Sequence, residues 1–534
     1  MKHGRFFVSV ALTIVLAMLA IEAGSVPSQA NFDGDKYADL AIGVSGEDLG
    51  GVTDAGVVSI MYGSYGSGLR SARDQIWDQN QLSADPNGAE DRDYFGQKLA
   101  VGDLNGDGAM DLAVGVFRED VGNAIDAGAV HIIYGDKGLG LQAAGNQLWT
   151  QASPGIQGGA ESYDQLGQAL AIGDFDGDGF DDLAVAAPKE DVGSVSNAGA
   201  VNVIYGSHAG LTGSGDQIFY EGYEGVSGSP EADDWFGKAL AAGDFDADGY
   251  ADLVISVPGE DLGGVSNAGR VVVLYGAHNG LSANGQQTWK QGSGGVKNIA
   301  ETNDYFGSSL ATGDFDGDGF ADLAIGTPDE DSGLISDSGL VNVLYGSSTG
   351  LTAAGNETWW DEGREAGDRF GSSLAAGDFD GDGFDELAVG APGEDLNGFA
   401  DAGAVDSLYG ASDGLHRRLT TGYWHQDRSQ VLDNAEEGDH FGYALAAGDF
   451  NNDGNVDLAV GVCHEDIASK GDAGAVQVLY GSSQGITATD NQFWHQDVPG
   501  MKGAAEANDH FGCALAAFPH PQKRVFMPLM LLDH

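Results

Sequence analysis

Asp314, Asp316, Asp318 and Asp322 occupy positions 1, 3, 5 and 9 of a nine-residue stretch whose position 6 is Gly319. Aspartates alternating on a tight loop turn their oxygens toward one point, and a hard cation such as Ca²⁺ gathers roughly six to eight oxygens. A glycine in the middle supplies the left-handed turn that wraps the backbone round the ion. Mg²⁺ fits less well, since it keeps more of its own waters. An EF-hand does not fit, because Leu323-Ala324-Ile325-Gly326 follows as a short apolar strand where a helix would be needed.

The stretch recurs. Seven copies begin at Asn31, Asp103, Asp174, Asp244, Asp314, Asp378 and Asp449, at spacings of 72, 71, 70, 70, 64 and 71 residues. Ahead of every copy but the first stands an FG-x-x-LA segment: Phe95-Gly96, Leu166-Gly167, Phe236-Gly237, Phe306-Gly307, Phe370-Gly371 and Phe441-Gly442. Behind each comes an apolar run such as Leu387-Ala388-Val389-Gly390-Ala391-Pro392, then an acidic, glycine-rich connector and a third run such as 271–275. A fourth run ends in Trp289, Trp359, Trp424 or Trp494. Four short strands per repeat, with almost no helical periodicity, predict an all-β fold. One such unit has too little core to stand alone, and stacking the units round an axis buries both faces of each. A seven-bladed β-propeller over residues 31–518 is the expected fold, in preference to a row of independent β-domains.

The last FG segment, Phe511-Gly512-Cys513-Ala514-Leu515-Ala516, has no loop after it, and the first loop has no FG segment before it. The two fragments make one repeat. The C-terminal strand is therefore predicted to be the innermost strand of blade 1, which removes an open edge. Cys513 then falls in blade 1 and Cys463 in blade 7. Two buried free thiols are the expectation, with a disulfide across the seam as the alternative.

Composition narrows the class. The chain has 82 acidic and 23 basic residues and a formal net charge of −59, which argues against nucleic acid and anionic membrane surfaces as partners. Hydrophobic residues make up 42% and recur in register, so the acidity does not signify disorder. Lys2, His3 and Arg5 precede an apolar run over 6–21, and Ser28-Gln29-Ala30 offers a cleavage site. Residues 1–30 are predicted to be a secretory signal peptide, and the protein to be secreted or held at the cell surface. Residues 519–534 fall outside the repeat as a tail.

Taken together, FG-x-x-LA, D-x-D-x-D-G-x-x-D-L and G-A-P resemble the FG-GAP repeats of the integrin α-chain head and of related bacterial secreted proteins. Gly371, Asp378, Asp380, Asp382, Gly390, Ala391 and Pro392 carry the resemblance in order within one repeat, and it extends over about residues 31–518. It implies that the loops join strands 1 and 2 of each blade, on the face opposite the usual ligand surface, and hold up to seven Ca²⁺. It also implies ligation by the side chains at 1, 3, 5 and 9 and by the backbone carbonyl at 7. In loop 3 these are Asp174, Asp176, Asp178, Phe180 and Asp182; in loop 4, Asp244, Asp246, Asp248, Tyr250 and Asp252; in loop 5, Asp314, Asp316, Asp318, Phe320 and Asp322. Loop 6 has Asp378, Asp380, Asp382, Phe384 and, in place of the last Asp, Glu386. Loop 2 has Asp103, Asn105, Asp107 and Asp111, and loop 7 has Asp449, Asn451, Asp453, Asn455 and Asp457; their neutral Asn predicts weaker binding. Loop 1, with Asn31, Asp33, Asp35 and Asp39, has Lys36 where glycine is needed. A left-handed lysine would cost roughly 1–2 kcal/mol, and its ammonium would face the ion, so this loop is expected to be weakest or empty.

The remaining acids gather in Glu47-Asp48, Glu119-Asp120, Glu190-Asp191, Glu260-Asp261, Glu330-Asp331, Glu394-Asp395 and Glu465-Asp466. Their presence in every repeat predicts caps for connector amides, since catalysis needs one asymmetric site. His425, His440, His464, His495 and His510 are expected to be packing or surface residues, and Lys470-Gly471-Asp472 a connector. The 4–1 connector before Phe370 is about six residues shorter than the others, which predicts a notch in the rim. Three functional classes remain: a monomeric ring acting in adhesion or recognition of an extracellular protein or glycan, a hydrolase with its site on the propeller axis, and a purely structural surface component.

Overall fold

The computed structural model of the chain describes residues 31–418 and 422–517; the predicted signal peptide and the tail from 519 lie outside the described residues. Among the described residues there are seven antiparallel sheets and one 3₁₀ turn, Gln79–Gln81. No helix among them is long and apolar enough to cross a membrane. Blade 5 shows the pattern: Ser309–Gly313, Asp322–Thr327, Leu340–Tyr345 and Thr352–Trp359 pair in chain order. The first strands of neighbouring blades touch one another and so ring the axis. Second and third strands are buried along almost their whole length, as in Asp322–Thr327, because each face lies against another blade. One apolar cluster joins Val254, Val271 and Val273 of blade 4 to Leu323, Ile325 and Leu344 of blade 5.

Blade 1 closes the ring as expected. Phe511–Ala516 pairs with Leu40–Val44, with Ala516 opposite Ala41 and Leu515 opposite Ile42, and Val57–Tyr62 and Arg70–Trp77 complete the sheet. The FG and G-A-P motifs explain themselves at the blade boundaries. Gly512, at φ 92°, turns its carbonyl toward Gly461 of the preceding blade so closely that a Cβ on Gly461 would collide with it. Gly390 and Gly442 repeat this contact between blades 6 and 7.

A belt of hydrogen bonds runs through the acidic loops. The amide at position 8 of each loop donates to the position-1 carbonyl of the preceding loop: Met110 to Asn31 at 2.8 Å, Asp181 to Asp103 at 3.1 Å, Ala251 to Asp174 at 2.9 Å and Ala321 to Asp244 at 3.0 Å. Asp385 to Asp314 at 3.0 Å, Val456 to Asp378 at 2.9 Å and Ala38 to Asp449 at 3.0 Å complete it, the last crossing the seam.

Two features depart from expectation. Cys463 and Cys513 are not free thiols but a disulfide, with Cα atoms 4.8 Å apart. Cys463 takes the place of the G-A-P proline, at the same blade contact that brings Gly461 onto Gly512, so closure itself brings the two sulfurs together. Blade 6 is the second departure, since its fourth strand is split into His416–Arg417 and Tyr423–Trp424, both paired to Ala404–Tyr409. Elsewhere a 4–1 connector docks on the fourth strand that follows it: Lys297 N–H donates to Asn356 Oδ1 at 3.1 Å, and Leu432 N–H to Asn491 Oδ1 at 3.0 Å. Among the described residues no amide of the short connector before Phe370 docks on the fourth strand of blade 6 in this way; Arg417 of that strand instead reaches the Trp360 carbonyl at 2.6 Å and Glu362 at 3.7 Å.

The disulfide closes a span of 50 residues. Chain entropy then assigns it about 4 kcal/mol. A Cys463→Ala/Cys513→Ala variant is expected to unfold at lower denaturant, and an unchanged midpoint would mean that the seam is held by its backbone contacts alone.

Candidate metal centres

Loop 5 shows how the sequence folds the site. Asp314 accepts the amides of Asp318 (3.0 Å) and Gly319 (3.1 Å), Asp318 accepts that of Phe320 (3.0 Å), and the backbone is drawn round the carboxylates. Asp322 is fully buried and accepts two further amides, Phe315 at 2.8 Å and Gly346 at 2.8 Å. Position 9 therefore ties the loop to the end of the third strand as well as offering oxygen. Burial first, and the charges of Asp316 and Asp314, push Asp322 up to about 8. Oxygens of Asp314, Asp316 and Asp322 lie within 4.8 Å of one another, as do those of Asp174, Asp176 and Asp182, and of Asp244, Asp246 and Asp248.

The same bonds recur in the other loops. Asp178 accepts Phe180 N–H at 3.0 Å, Asp182 accepts Phe175 at 2.9 Å and Asp252 accepts Phe245 at 2.9 Å. In loop 2, Asp103 accepts the amides of Asp107 and Gly108, Asn105 accepts that of Asp107, and Asp111 is anchored at Leu104 and Gly135. In loop 7, Asp449 accepts Asp453 at 3.1 Å, Asp453 accepts Asn455 at 3.0 Å, and Asp457 accepts Phe450 at 2.9 Å. Position 4 is also left-handed, at φ 69° for Gly317, and Ala247 and Asn452 take it without glycine, at 54° and 51°. The position-7 side chains sit over the position-4 glycine of the preceding loop: Phe180 on Gly106, Tyr250 on Gly177, Phe384 on Gly317.

Loops 1 and 6 differ. Lys36 does not enter the left-handed region, which Gly34 takes at φ 65°, and its ammonium lies over the rings of Tyr37 and Tyr65. The cation that meets loop 1 is Arg73, 3.1 Å from Asp33, while Asn31 donates to the Asp35 carbonyl at 2.6 Å and Asp35 accepts Tyr37 N–H at 2.8 Å. Asn31 and Asp39 are buried. Loop 6, expected to be among the strongest, has Arg418 3.0 Å from Asp380. Its Asp378 accepts Asp382 and Gly383, and Asp382 accepts Phe384. Glu386 uses its longer arm to take the amides of Phe379 (2.6 Å) and Asp380 (3.2 Å) on one oxygen.

The donor chemistry fits a hard divalent cation. Every offered side-chain atom is oxygen, and Asp380 Oδ1, Glu386 Oε1 and Asn451 Oδ1 are buried with no hydrogen-bond partner. A buried oxygen of that kind costs about 1–3 kcal/mol unless something compensates it.

The paired acids divide their labour. The Asp caps an amide six residues on in all seven blades, as Asp261 does for Asn267 at 2.9 Å and Asp466 for Asp472 at 2.9 Å. The Glu turns inward and at five boundaries accepts a glutamine amide from the preceding blade, as Glu119 does from Gln79 at 2.7 Å and Glu465 from Gln426 at 2.7 Å. At the boundary of blades 3 and 4 the glutamine is Glu221, and Arg270 bridges it to Glu260. Burial, then nearby carboxylates, raise Glu190, Glu260 and Glu330 to about 7.

Arg418→Ala is expected to tighten cation binding at loop 6, by roughly the 1 kcal/mol of a half-exposed ion pair, as read by calcium titration; unchanged affinity would show that Arg418 does not compete. The raised glutamates favour the fold fully below their ordinary value of 4.5, and that contribution is lost as pH climbs through about 7. At saturating calcium the melting temperature should therefore fall between about pH 5 and about pH 8, and a rise over that window would contradict the assignment.

The FG-GAP repeat family matches residues 23–61, 95–133, 166–204, 236–274, 306–344, 370–408 and 441–479. Among curated relatives, phosphatidylinositol-glycan-specific phospholipase D of Rattus norvegicus is 37% identical over 34% of this chain and 20% of its own length. Integrin alpha-PS2 of Drosophila melanogaster is 34% identical over 36% and 13%, and human integrin alpha-IIb 34% over 34% and 16%. The chain thus spans about a fifth or less of these relatives. A periplasmic gluconolactonase of Pseudomonas aeruginosa aligns over 87% of the chain and 100% of its own, at 13% identity and a TM-score of 0.40, too low for any argument. Seven matched repeats folded into seven blades place the chain in the FG-GAP repeat family, with a propeller like the heads of integrin α chains.

Proposed function

We propose that this propeller is an extracellular recognition module, stabilised by Ca²⁺ in its strand 1–2 loops, that binds a protein or glycan at the opposite end of the blades. Antiparallel strands place the 2–3 and 4–1 connectors at that opposite end. The supporting observation is a ring of seven residues at the start of the innermost strands: Tyr94, Gln165, Trp235, Tyr305, Arg369, His440 and His510. All seven are left-handed, with φ between 52° and 61°. Each donates its amide to the 2–3 connector of the preceding blade, as Trp235 does to Asn197 at 3.2 Å and Arg369 to Asp337 at 3.1 Å. A bulky residue in that conformation is strained and persists only where its surroundings fix it. The backbone is thus the same at all seven places while the side chains differ, as a recognition surface requires.

Contacts made by ring members support the same reading. Trp235 and Tyr305 stack at 6.1 Å, Arg118 lies 4.9 Å over Tyr94, and Arg369 is 3.5 Å from Asp329. Arg369 and His440 also face a central cavity of about 820 Å³, whose lining includes Lys98 and Lys238 as well as Asp337 and Asp401. The integrin relatives support an extracellular role, and the oxygen-only loops support calcium. Chelation is expected to lower the melting temperature, and an unchanged melt in excess chelator would remove calcium from the proposal. A glycan array and a surface-protein pull-down, run with the calcium-loaded chain, test recognition. Trp235→Ala and Arg369→Ala should weaken the captured ligand roughly tenfold or more without shifting the melt. Binding untouched by these changes and lost on altering the calcium-loop end would overturn the assigned face.

A further inference from the structure

Three imidazoles lie side by side at one place on this ring. His440 and His510 hold the same position in successive blades, and His464, on the 2–3 connector of blade 7, lies between them. The ring centroids of His440 and His464 are 4.9 Å apart, with planes at 71°, and those of His464 and His510 are 5.1 Å apart, with planes at 67°. His440 Nδ1 is 2.8 Å from the Pro392 carbonyl, so that nitrogen carries the proton and Nε2 keeps its lone pair. Nitrogens of His464 and His510 lie within 4.8 Å of each other, and His510 Nδ1 is buried without a hydrogen-bond partner.

We propose that His440, His464 and His510 bind a borderline-soft divalent cation of the Zn²⁺ class. Imidazole nitrogen suits zinc and its neighbours, whereas calcium takes oxygen. A ligating histidine ordinarily gives its other N–H to a backbone carbonyl or carboxylate, which fixes the tautomer and aims the free nitrogen; His440 is held in this way by Pro392. Three protein ligands leave a fourth position of a tetrahedron open. A cavity of about 190 Å³ adjoins His464 and His510, lined also by Ser45, Gln97, Lys98 and Tyr443, while His440 lines the adjacent central cavity, and the smaller one gives that position to water or to a donor from a partner. The Cys463–Cys513 bridge stands next to His464 and three residues beyond His510, so it holds two of the ligands together across the seam before any ion arrives. Equivalent places elsewhere are satisfied by other means, by Arg118 on Tyr94 and by Arg369 with Asp329. Lys98 opposes the cation, and its removal should favour binding.

The site lies at the far end of the strands from the oxygen loops, and so it stands whether or not those loops hold calcium. The test uses the full chain in excess Ca²⁺, titrated with Zn²⁺ alone by calorimetry. One saturable equivalent is expected in the parent, weakened roughly tenfold or more in His464→Ala and in His440→Ala, and tightened in Lys98→Ala. Zinc should raise the melting temperature of the parent and leave that of His464→Ala unchanged, while the two melt alike without zinc. A parent without saturable zinc binding, or histidine variants with the parental isotherm, would overturn the proposal.

Discussion

A ring of seven sheets closes only if every boundary has the same spacing, and glycine backbones set that spacing. Where Gly461 meets the Gly512 carbonyl there is no room for a side chain, and Gly390 against Gly442 is the same contact one blade earlier. Blades 3 and 4 place Ala186 and Ser256 at the equivalent position, facing Gly237 and Gly307, so one side of the contact stays bare. The loop-to-loop amide belt adds a second set of fixed distances near the other end of the strands. Because each loop lends its first carbonyl to the next, the frames of neighbouring loops are tied together through the main chain.

Most of this architecture was legible from periodicity. The repeat spacing, four strands per unit, the closing strand at 511–516 and the Asp of each acid pair as an amide cap all follow from which residues recur in which order, whereas the inward turn of the Glu does not. What was not legible depends on contacts between repeats. Position 4 reads as an ordinary loop residue in sequence, because Ala247 and Asn452 disguise its left-handed geometry, and only the side chain leaning on it from the next blade shows why glycine prevails. Lys36 looked like the charge that spoils loop 1, yet its long arm reaches Tyr37 and Tyr65, and Arg73 arrives from a distant strand. Arg418 meets loop 6 in the same way. The paired cysteines were visible as neighbours in the ring, but bond formation depends on a few ångströms that spacing does not resolve.

Repetition and exception carry different information here. At one end of the strands seven nearly identical carboxylate loops repeat a single chemistry. At the other the backbone is just as regular while the side chains range over tyrosine, glutamine, tryptophan, arginine and histidine. Departures from the consensus are compensated nearby, as Glu221 in place of glutamine is met by Arg270 in place of a small residue. Burying two carboxylates without that guanidinium would leave uncompensated charge in a low dielectric. The shortened connector and the split strand of blade 6 form a similar pair in backbone rather than charge.

Joining the first blade with a strand from residues 511–516 also orders events in time. As the chain leaves the ribosome, blades 2 to 7 each have all four strands to hand soon after synthesis, and domains tend to fold as their segments emerge. Residues 40–44 must wait for nearly the whole of the chain, exposing a hydrophobic edge that is ready to pair with a stranger. The earliest blade made is the last one finished, and a truncated product would carry that edge uncovered.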